Sequence, residues 1–322
     1  MNSNFKDYLL KSTNASSCEE VEIIQTLWSG YGKISRYVLN GSLNTTVVVK
    51  SISLNQSSSH PRGWNTDYAH NRKVRSYEVE TIWYSKWSKL CNDNCKIPKV
   101  IGVFSEMNEQ WIIMEDLNQK FPLRKHKLQL QETKTCLKWL ANFHATFLNY
   151  KPTDLWEIGT YWHLKTRPDE FEKTTNQALK AKAHVIDGLL NNCKYQTIVH
   201  GDAKLANFCF SENGNQVAAV DFQYVGGGCG IKDVAYFLGS CLSSEACEFY
   251  EEELLEYYFS ELKLACKTKA IKASFDALEQ EWRYMYSIAW TDFTRFLMGW
   301  MPTHQKLNDY SLKLMKEVLL KL

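Results

Sequence analysis

The densest chemistry in this sequence lies in "TIVHGDAKLANFCF", residues 197–210, where an apolar run delivers His200, Gly201, Asp202, Lys204 and Asn207 in quick succession. Asp202 and Asn207 stand five apart on the loop after that run, and Asp221 closes the next apolar run. A carboxylate and an amide that converge on one point make a hard-oxygen cation site. Two carboxylates and an amide are more than a turn needs. One acid can hold a metal while the other orients a hydroxyl. Phosphoryl transfer asks for that division of labour, since it needs positioning and the neutralisation of charge on a triphosphate.

Such a site requires further parts, and the chain supplies candidates for each. A lysine should leave a strand to meet phosphate, and "TTVVVK" ends in Lys50. A helical glutamate should hold that lysine, and "YEVETIWY" offers Glu78 and Glu80. A glycine-bearing turn should cover the phosphates, and "WSGYGKIS" offers Gly30 and Gly32, where no side chain keeps backbone N–H groups from phosphate. A linking segment should present backbone groups to an adenine, and "IIMEDL", with Glu115, lies where it is needed. Each part alone has a plain structural reading: a solvated lysine, a hairpin turn, a strand-end cap. Together and in this order they point to a kinase-like fold.

The elements that must position these groups fall into two textures. "VEIIQTLWSG", "ISRYVLNG" and "TTVVVKSI" read as strands. "NQSSSHPRGWN" reads as a polar loop, and "DYAHNRKVRSYEVETIWYSKWSKL" as a helix from the spacing of Val74, Tyr77, Ile82 and Tyr84. "KIPKVIGVFSE" and "EQWIIMEDL" read as two more strands. Residues 20–117 are therefore expected to form a mostly antiparallel sheet with one long helix. After about residue 117 the chain turns helical. "LQLQETKTCLKWLANFHATFLNY" places Leu137, Leu140, Phe143, His144 and Phe147 on one side. The short apolar runs "YQTIVHGD" and "QVAAVDF" interrupt the helices, and the glycine cluster "VGGGCG" after them permits close backbone approach or unusual dihedrals. The expected fold is α+β, with an N-terminal lobe over 1–117 and a larger, mainly helical C-terminal lobe over 118–322.

Bulk properties set the outer limits. A chain of 322 residues favours one large domain or two coupled lobes. A net charge of +2 calls for neither nucleic acid nor an anionic membrane as partner. No apolar run is long enough to span a bilayer, and the N-terminus does not read as a secretory signal, so a cytoplasmic protein with reduced thiols is expected. Cys91 and Cys95 in "CNDNC" have no second ligand pair at zinc-site spacing.

The motifs "VHGDAKLANFCF" and "AVDFQYVGGGCGIKDVAYFLGSCL" resemble the aminoglycoside phosphotransferase and choline kinase superfamily, with the ecdysteroid-kinase-like branch the nearest match. "LWSGYGKISRYVL", "YEVETIWY", "WIIMEDL" and "WLANFHATFL" are similar to other blocks of that branch, so the resemblance spans about residues 20–300. It implies a two-lobed, protein-kinase-like fold and phosphorylation of a small-molecule alcohol by ATP with Mg²⁺. It implies that Asp202 receives and orients the acceptor hydroxyl, Asn207 and Asp221 hold Mg²⁺, and Lys50 contacts the α- and β-phosphates. It favours Glu80 over Glu78 as the lysine's partner, because Trp83 and Tyr84 follow it at the expected offset. An aspartate with an ordinary pKa of about 4 cannot strongly deprotonate an alcohol, so orientation with late proton uptake is the expected role. Lys204 has two readings, charge for the γ-phosphate or a solvated loop lysine. His200 reads as a structural hydrogen-bonding group, and Asp233 as a cap for the following helix and a brace for the loop. Ser35 stands where a third loop glycine would be, and "FQ" follows Asp221 in place of "FG".

The acceptor is less legible. "EWRYMYSIAWTDFTRFLMGW" places Tyr286, Trp290 and Phe293 near helical spacing with Asp292 beside them. Such a wall would suit a cationic acceptor through cation–π contact, and the competing reading is lobe core. An amino alcohol, a sterol-like alcohol, an aminoglycoside or a sugar-like molecule all stay open. The competing functions are a protein kinase, against which the chain lacks an activation segment ending in "APE", and a nucleotide-binding scaffold, against which Lys50, Asp202, Asn207 and Asp221 are all present.

Overall fold

A computed structural model describes residues 3–27, 30–54, 67–271 and 274–322. The chain divides into two units, residues 1–90 with 97–122, and residues 91–96 with 123–322.

The first unit opens with a helix that the sequence reading leaves unassigned, α1 (Ser3–Thr13). Strands β1 (Ser17–Thr26), β2 (Gly32–Asn40) and β3 (Thr46–Ser53) follow. Helix α2 (Asp67–Ile82) comes next, then β4 (Val100–Glu106) and β5 (Glu109–Glu115). The expected loop at 55–65 lies outside the described residues. The strands form one fully antiparallel sheet in the order β1-β2-β3-β5-β4. The period of two sorts β3 onto two faces. Val47 and Val49 join Phe5 and Leu9 of α1 with Tyr37, Trp111 and Ile113 in one core. The ring of Phe5 stacks on Trp111 at 4.9 Å. Full burial of Phe5 and Leu9 contributes about 1.5–3 kcal/mol each, which is why a short N-terminal helix holds. On the other face Ile52 packs with Leu27, Tyr31 and Tyr77 of α2, and Lys50 shares that face. Helix α2 ends sooner than expected, passing into a π-turn over Trp83–Trp87 and a 3₁₀ turn over Ser88–Leu90.

The second unit begins in earnest with α3 (Leu130–Thr146), opened by a capping box between Gln129 and Glu132. Its expected stripe of Leu137, Leu140, Phe143 and His144 is buried, and so is Phe147 just beyond its end. Helices α4 (Pro168–Glu172) and α5 (Gln177–Asn191) follow. Four three-residue strands then form two antiparallel pairs, one nested in sequence inside the other: β6 (Thr197–Val199), β7 (Phe208–Phe210), β8 (Val217–Ala219) and β9 (Gly226–Gly228). Strand β6 pairs antiparallel with β9, and β7 with β8. The glycine cluster is thus a strand, and close approach explains it: a Cβ on Gly226 would lie 2.2 Å from the Trp156 carbonyl oxygen. Helices α6 (Ile231–Cys241), α7 (Ser244–Thr268), α8 (Phe275–Trp300) and α9 (Asp309–Lys321) complete the unit. Among the described residues no helix is long and apolar enough to cross a membrane.

Candidate active site

In the first unit, Lys50 on β3 and Glu80 on α2 form a buried ion pair, Nζ to Oε2 at 2.5 Å, with side chains 3% and 2% exposed. Helical phase selects Glu80. Tyr77 and Tyr84, three before and four after it, are both buried, so Glu80 lies on the inner stripe. Glu78 is turned to the outer face, where it pairs with Arg75 at 3.3 Å. Gly30 (φ +75°) and Gly32 (φ +141°) flank Tyr31 at the entry to β2, while Trp28 and Ser29 of the same turn lie outside the described residues. Ser35 sits mid-strand in β2 opposite Val49. Glu115 ends β5, with its N–H donating to the Lys99 carbonyl at 2.8 Å and its carboxylate accepting from Lys99 N–H at 3.0 Å.

In the second unit, Asp202 is the hub. Lys204 Nζ reaches its Oδ2 at 2.8 Å, Asn207 Nδ2 the same oxygen at 3.2 Å, and the Tyr236 hydroxyl its Oδ1 at 3.1 Å. Asn207 also donates to the main-chain oxygen of Asp202 at 2.7 Å. Its amide N–H groups are spent on the loop, which leaves the side-chain carbonyl oxygen as its donor to a cation. Burial works against the charge of Lys204, but Asp202 and Asp221 outweigh it and hold the ammonium above the ordinary lysine range. Asp221 stands next to Val220, whose N–H donates to the Asn207 carbonyl at 3.0 Å. Asp221 adopts φ +70°, a left-handed conformation unusual outside glycine, and accepts from Gln223 Nε2 at 2.8 Å. An amide oxygen and a carboxylate carried on adjoining backbone are hard-oxygen donors of the kind that suits Mg²⁺, which takes one or two carboxylates and completes its shell with phosphate and water.

The loop between β6 and β7 is shaped from below. Asp233, fully buried, accepts from His200 N–H at 2.6 Å and from Gly201 N–H at 3.0 Å. His144 of α3 reaches the same carboxylate at 3.2 Å and the Tyr258 hydroxyl at 2.8 Å. The cap expected of Asp233 is corrected: Gly230 is the N-cap of α6, and Asp233, in the first turn, turns its oxygens to the loop instead. His200 accepts from Asp202 N–H through Nδ1 at 3.2 Å and donates from Nε2 to the Val220 carbonyl at 3.0 Å. Burial lowers its pKa, favouring the neutral ring these two bonds require. Gly201 is obligatory: at φ +79° a Cβ would lie 2.0 Å from the Tyr224 carbonyl oxygen.

Of the aromatic residues considered for the acceptor, Tyr286 and Trp290 belong to the core against α9. Tyr286 meets the Tyr310 hydroxyl at 3.3 Å, and the Trp290 indole donates to Ser311 at 2.8 Å. Asp292 is paired with buried Arg295 at 2.8 Å. Phe293 packs against Tyr236, ring centroids 4.8 Å apart, and so adjoins the surroundings of Asp202. Three residues near Asp202 escape the sequence reading. Tyr236 follows Asp233 by three positions on α6, so one helical turn sets both toward the loop. Tyr161 lies 3.3 Å from the Tyr236 hydroxyl. Lys306, between α8 and α9, sits with its ammonium over the rings of Tyr236 and Phe293.

A sequence profile described as the ecdysteroid kinase-like family matches residues 75–161 and 157–270, more than half of the chain. No curated protein matches it. Among solved structures, Plasmodium vivax ethanolamine kinase superposes with a TM-score of 0.53 at 11% identity, covering 94% of this chain and 82% of that one. An aminoglycoside phosphotransferase from Streptomyces rimosus, in complex with ADP and streptomycin, gives 0.49 at 12% identity, with 89% and 98% covered. An aminoglycoside-3′-phosphotransferase of type VIII gives 0.45 at 14%, with 86% and 98% covered. The chain has the two-lobed, protein-kinase-like fold that its motifs imply. At identities this low the likeness is one of fold.

Proposed function

The chain belongs to the ecdysteroid kinase-like family, and on that premise we propose that it transfers the γ-phosphoryl group of ATP to a hydroxyl of a small molecule. The observation that supports this best is the setting of Asp202. Its carboxylate is held by Lys204, Asn207 and Tyr236 on a loop fixed through Asp233. A carboxylate so fixed can accept a hydrogen bond from an alcohol without reorganising, which is where positioning lowers a phosphoryl-transfer barrier. In the proposed step the alcohol oxygen forms a bond to the γ-phosphorus as the bond to the β-phosphate oxygen breaks. The hydroxyl proton passes late to Asp202, and ADP leaves with the bridging oxygen. Asn207 and Asp221 would hold Mg²⁺, which neutralises phosphate charge when bound. Lys50, oriented by Glu80, would contact the nucleotide phosphates, Gly30 and Gly32 would lie over them, and the segment at Glu115 would face the adenine. Lys204, tied to Asp202, is placed to supply charge to the phosphoryl group in flight.

The test is ADP release from Mg-ATP across a panel of alcohols, with Asp202→Asn and Asp221→Ala alongside and nucleotide affinity measured by calorimetry. Asp202→Asn should abolish release while keeping nucleotide affinity; Asp221→Ala should weaken Mg-ATP binding more. Release that persists in Asp202→Asn, or equal nucleotide affinity in both variants, would remove these assignments. Tight nucleotide binding without Asp202-dependent release would favour a scaffold.

A further inference from the structure

The rings around Asp202 already carry cations of the chain itself. Lys306 Nζ lies 5.0 Å from the centroid of Tyr236 and 5.5 Å from that of Phe293. The Arg167 guanidinium lies 5.6 Å from Tyr161 and 5.4 Å from Phe296. Tyr161, Tyr236, Phe293 and Phe296 pack edge to face on one another and on Trp162. This is the aromatic environment in which a cationic acceptor would seek its cation–π contact. Asp292, the carboxylate that would suit such an acceptor, is buried and held by Arg295. Lys306 is close enough to Asp202 for the two to interact, whereas the cationic neighbour Lys204 opposes its charge. Lys306 also lies beyond residue 270, where the family match ends.

We infer that Lys306 is a specificity-determining residue, which fills the cation–π seat beside Asp202 and thereby turns transfer toward uncharged or anionic alcohols and away from cationic ones. This rests on the kinase reading above. A second positive charge within about 6 Å of the ammonium, at an effective dielectric of about 20, would cost about a hundredfold in binding, but an ammonium lowered to about 8 can release its proton instead, which limits the penalty to about tenfold at pH 7.

The test uses two alcohols of one shape. Choline carries a quaternary nitrogen, and 3,3-dimethylbutan-1-ol has carbon in its place. The measured quantity is the ratio of their kcat/KM values, by ADP release with full-length wild type, Lys306→Met and Lys306→Arg. Wild type should favour the neutral alcohol. At pH 7, Lys306→Met should shift the ratio toward choline by about tenfold, and Lys306→Arg should keep the preference for the neutral alcohol at least as strong as in wild type. A merely structural lysine would depress both alcohols together and leave their ratio alone. Choline used as well as its isostere, a ratio unmoved in Lys306→Met, or no saturation by either alcohol despite Asp202-dependent ADP release, would overturn the inference. Absence of any Asp202-dependent ADP release would instead overturn the kinase reading.

Discussion

Asp233→Asn is the sharpest test of how the loop carrying Asp202 is built. Three donors converge on the Asp233 carboxylate: His200 N–H at 2.6 Å and His144 at 3.2 Å on Oδ2, and Gly201 N–H at 3.0 Å on Oδ1. Asparagine has the same shape but only one acceptor oxygen. Whichever way its amide turns, one backbone N–H meets an N–H₂ group in a site with no exposed surface. A hydrogen bond to a charged group is worth about 1.5–3 kcal/mol, and a buried donor left unpaired costs about 1–3 kcal/mol more. Some of that is recovered as the loop relaxes, so a net loss of about 2–4 kcal/mol is expected. For the unit that holds the loop this is roughly 5–10 °C of melting temperature. The assay is thermal unfolding paired with hydrogen exchange at His200 and Gly201, the two amides that donate to Asp233. Both should lose protection, and turnover should fall with them although Asp233 touches no reactant. A variant that melts within about 1 °C of wild type, with both amides still protected, would show that the carboxylate does not hold the loop.

Glu80→Gln leaves a buried ammonium short of its carboxylate and should cost about 3–5 kcal/mol in urea unfolding, whereas Lys50→Met combined with Glu80→Leu should recover much of it; a single-variant cost below about 1 kcal/mol would mean the pair is effectively solvated. Gly201→Ala places a methyl against the Tyr224 carbonyl at a φ that L residues resist, so it should lower the melting temperature by more than about 5 °C, and an unchanged melt would contradict the loop's backbone path. Burial pushes Lys306 down to about 8, against the pull of Asp202 and Cys241 and with Lys204 adding to the shift. Between that value and the ordinary lysine range the unfolded chain binds more protons than the native one, so this group's contribution to stability rises with pH. Relative to Lys306→Met, wild type should therefore gain about 2 kcal/mol between pH 7 and pH 9.5; a gap that does not change with pH would place the ammonium in solvent.

What could be read from the chain follows the sequence distance of the contacts. The bond from Asn207 to Asp202 spans five residues, and that from Lys204 to Asp202 spans two, so their chemistry is compressed into one loop and visible as spacing. The resemblance favours Glu80 over Glu78 and helical phase decides it, since only Glu80 shares the stripe of Tyr77 and Tyr84. Helix α1 escaped because two apolar residues four apart, Phe5 and Leu9, make a weak periodic signal, and their partners Trp111 and Ile113 lie about a hundred residues away. Tyr161 and Lys306 escaped for the same reason in stronger form. Each is a single residue in a connecting segment, and each reaches the surroundings of Asp202 only after helices α6 and α8 have packed. Tyr286, Trp290 and Phe293 show the converse. Their spacing marks a buried helix stripe, but which neighbour each meets depends on the adjoining element: α9 for the first two, α6 for the third. Candidate reactive groups are thus legible where a loop gathers them. The aromatic surroundings of Asp202 are assembled across 145 positions, from Tyr161 to Lys306, so the side chain proposed to set their charge has to be found in the fold.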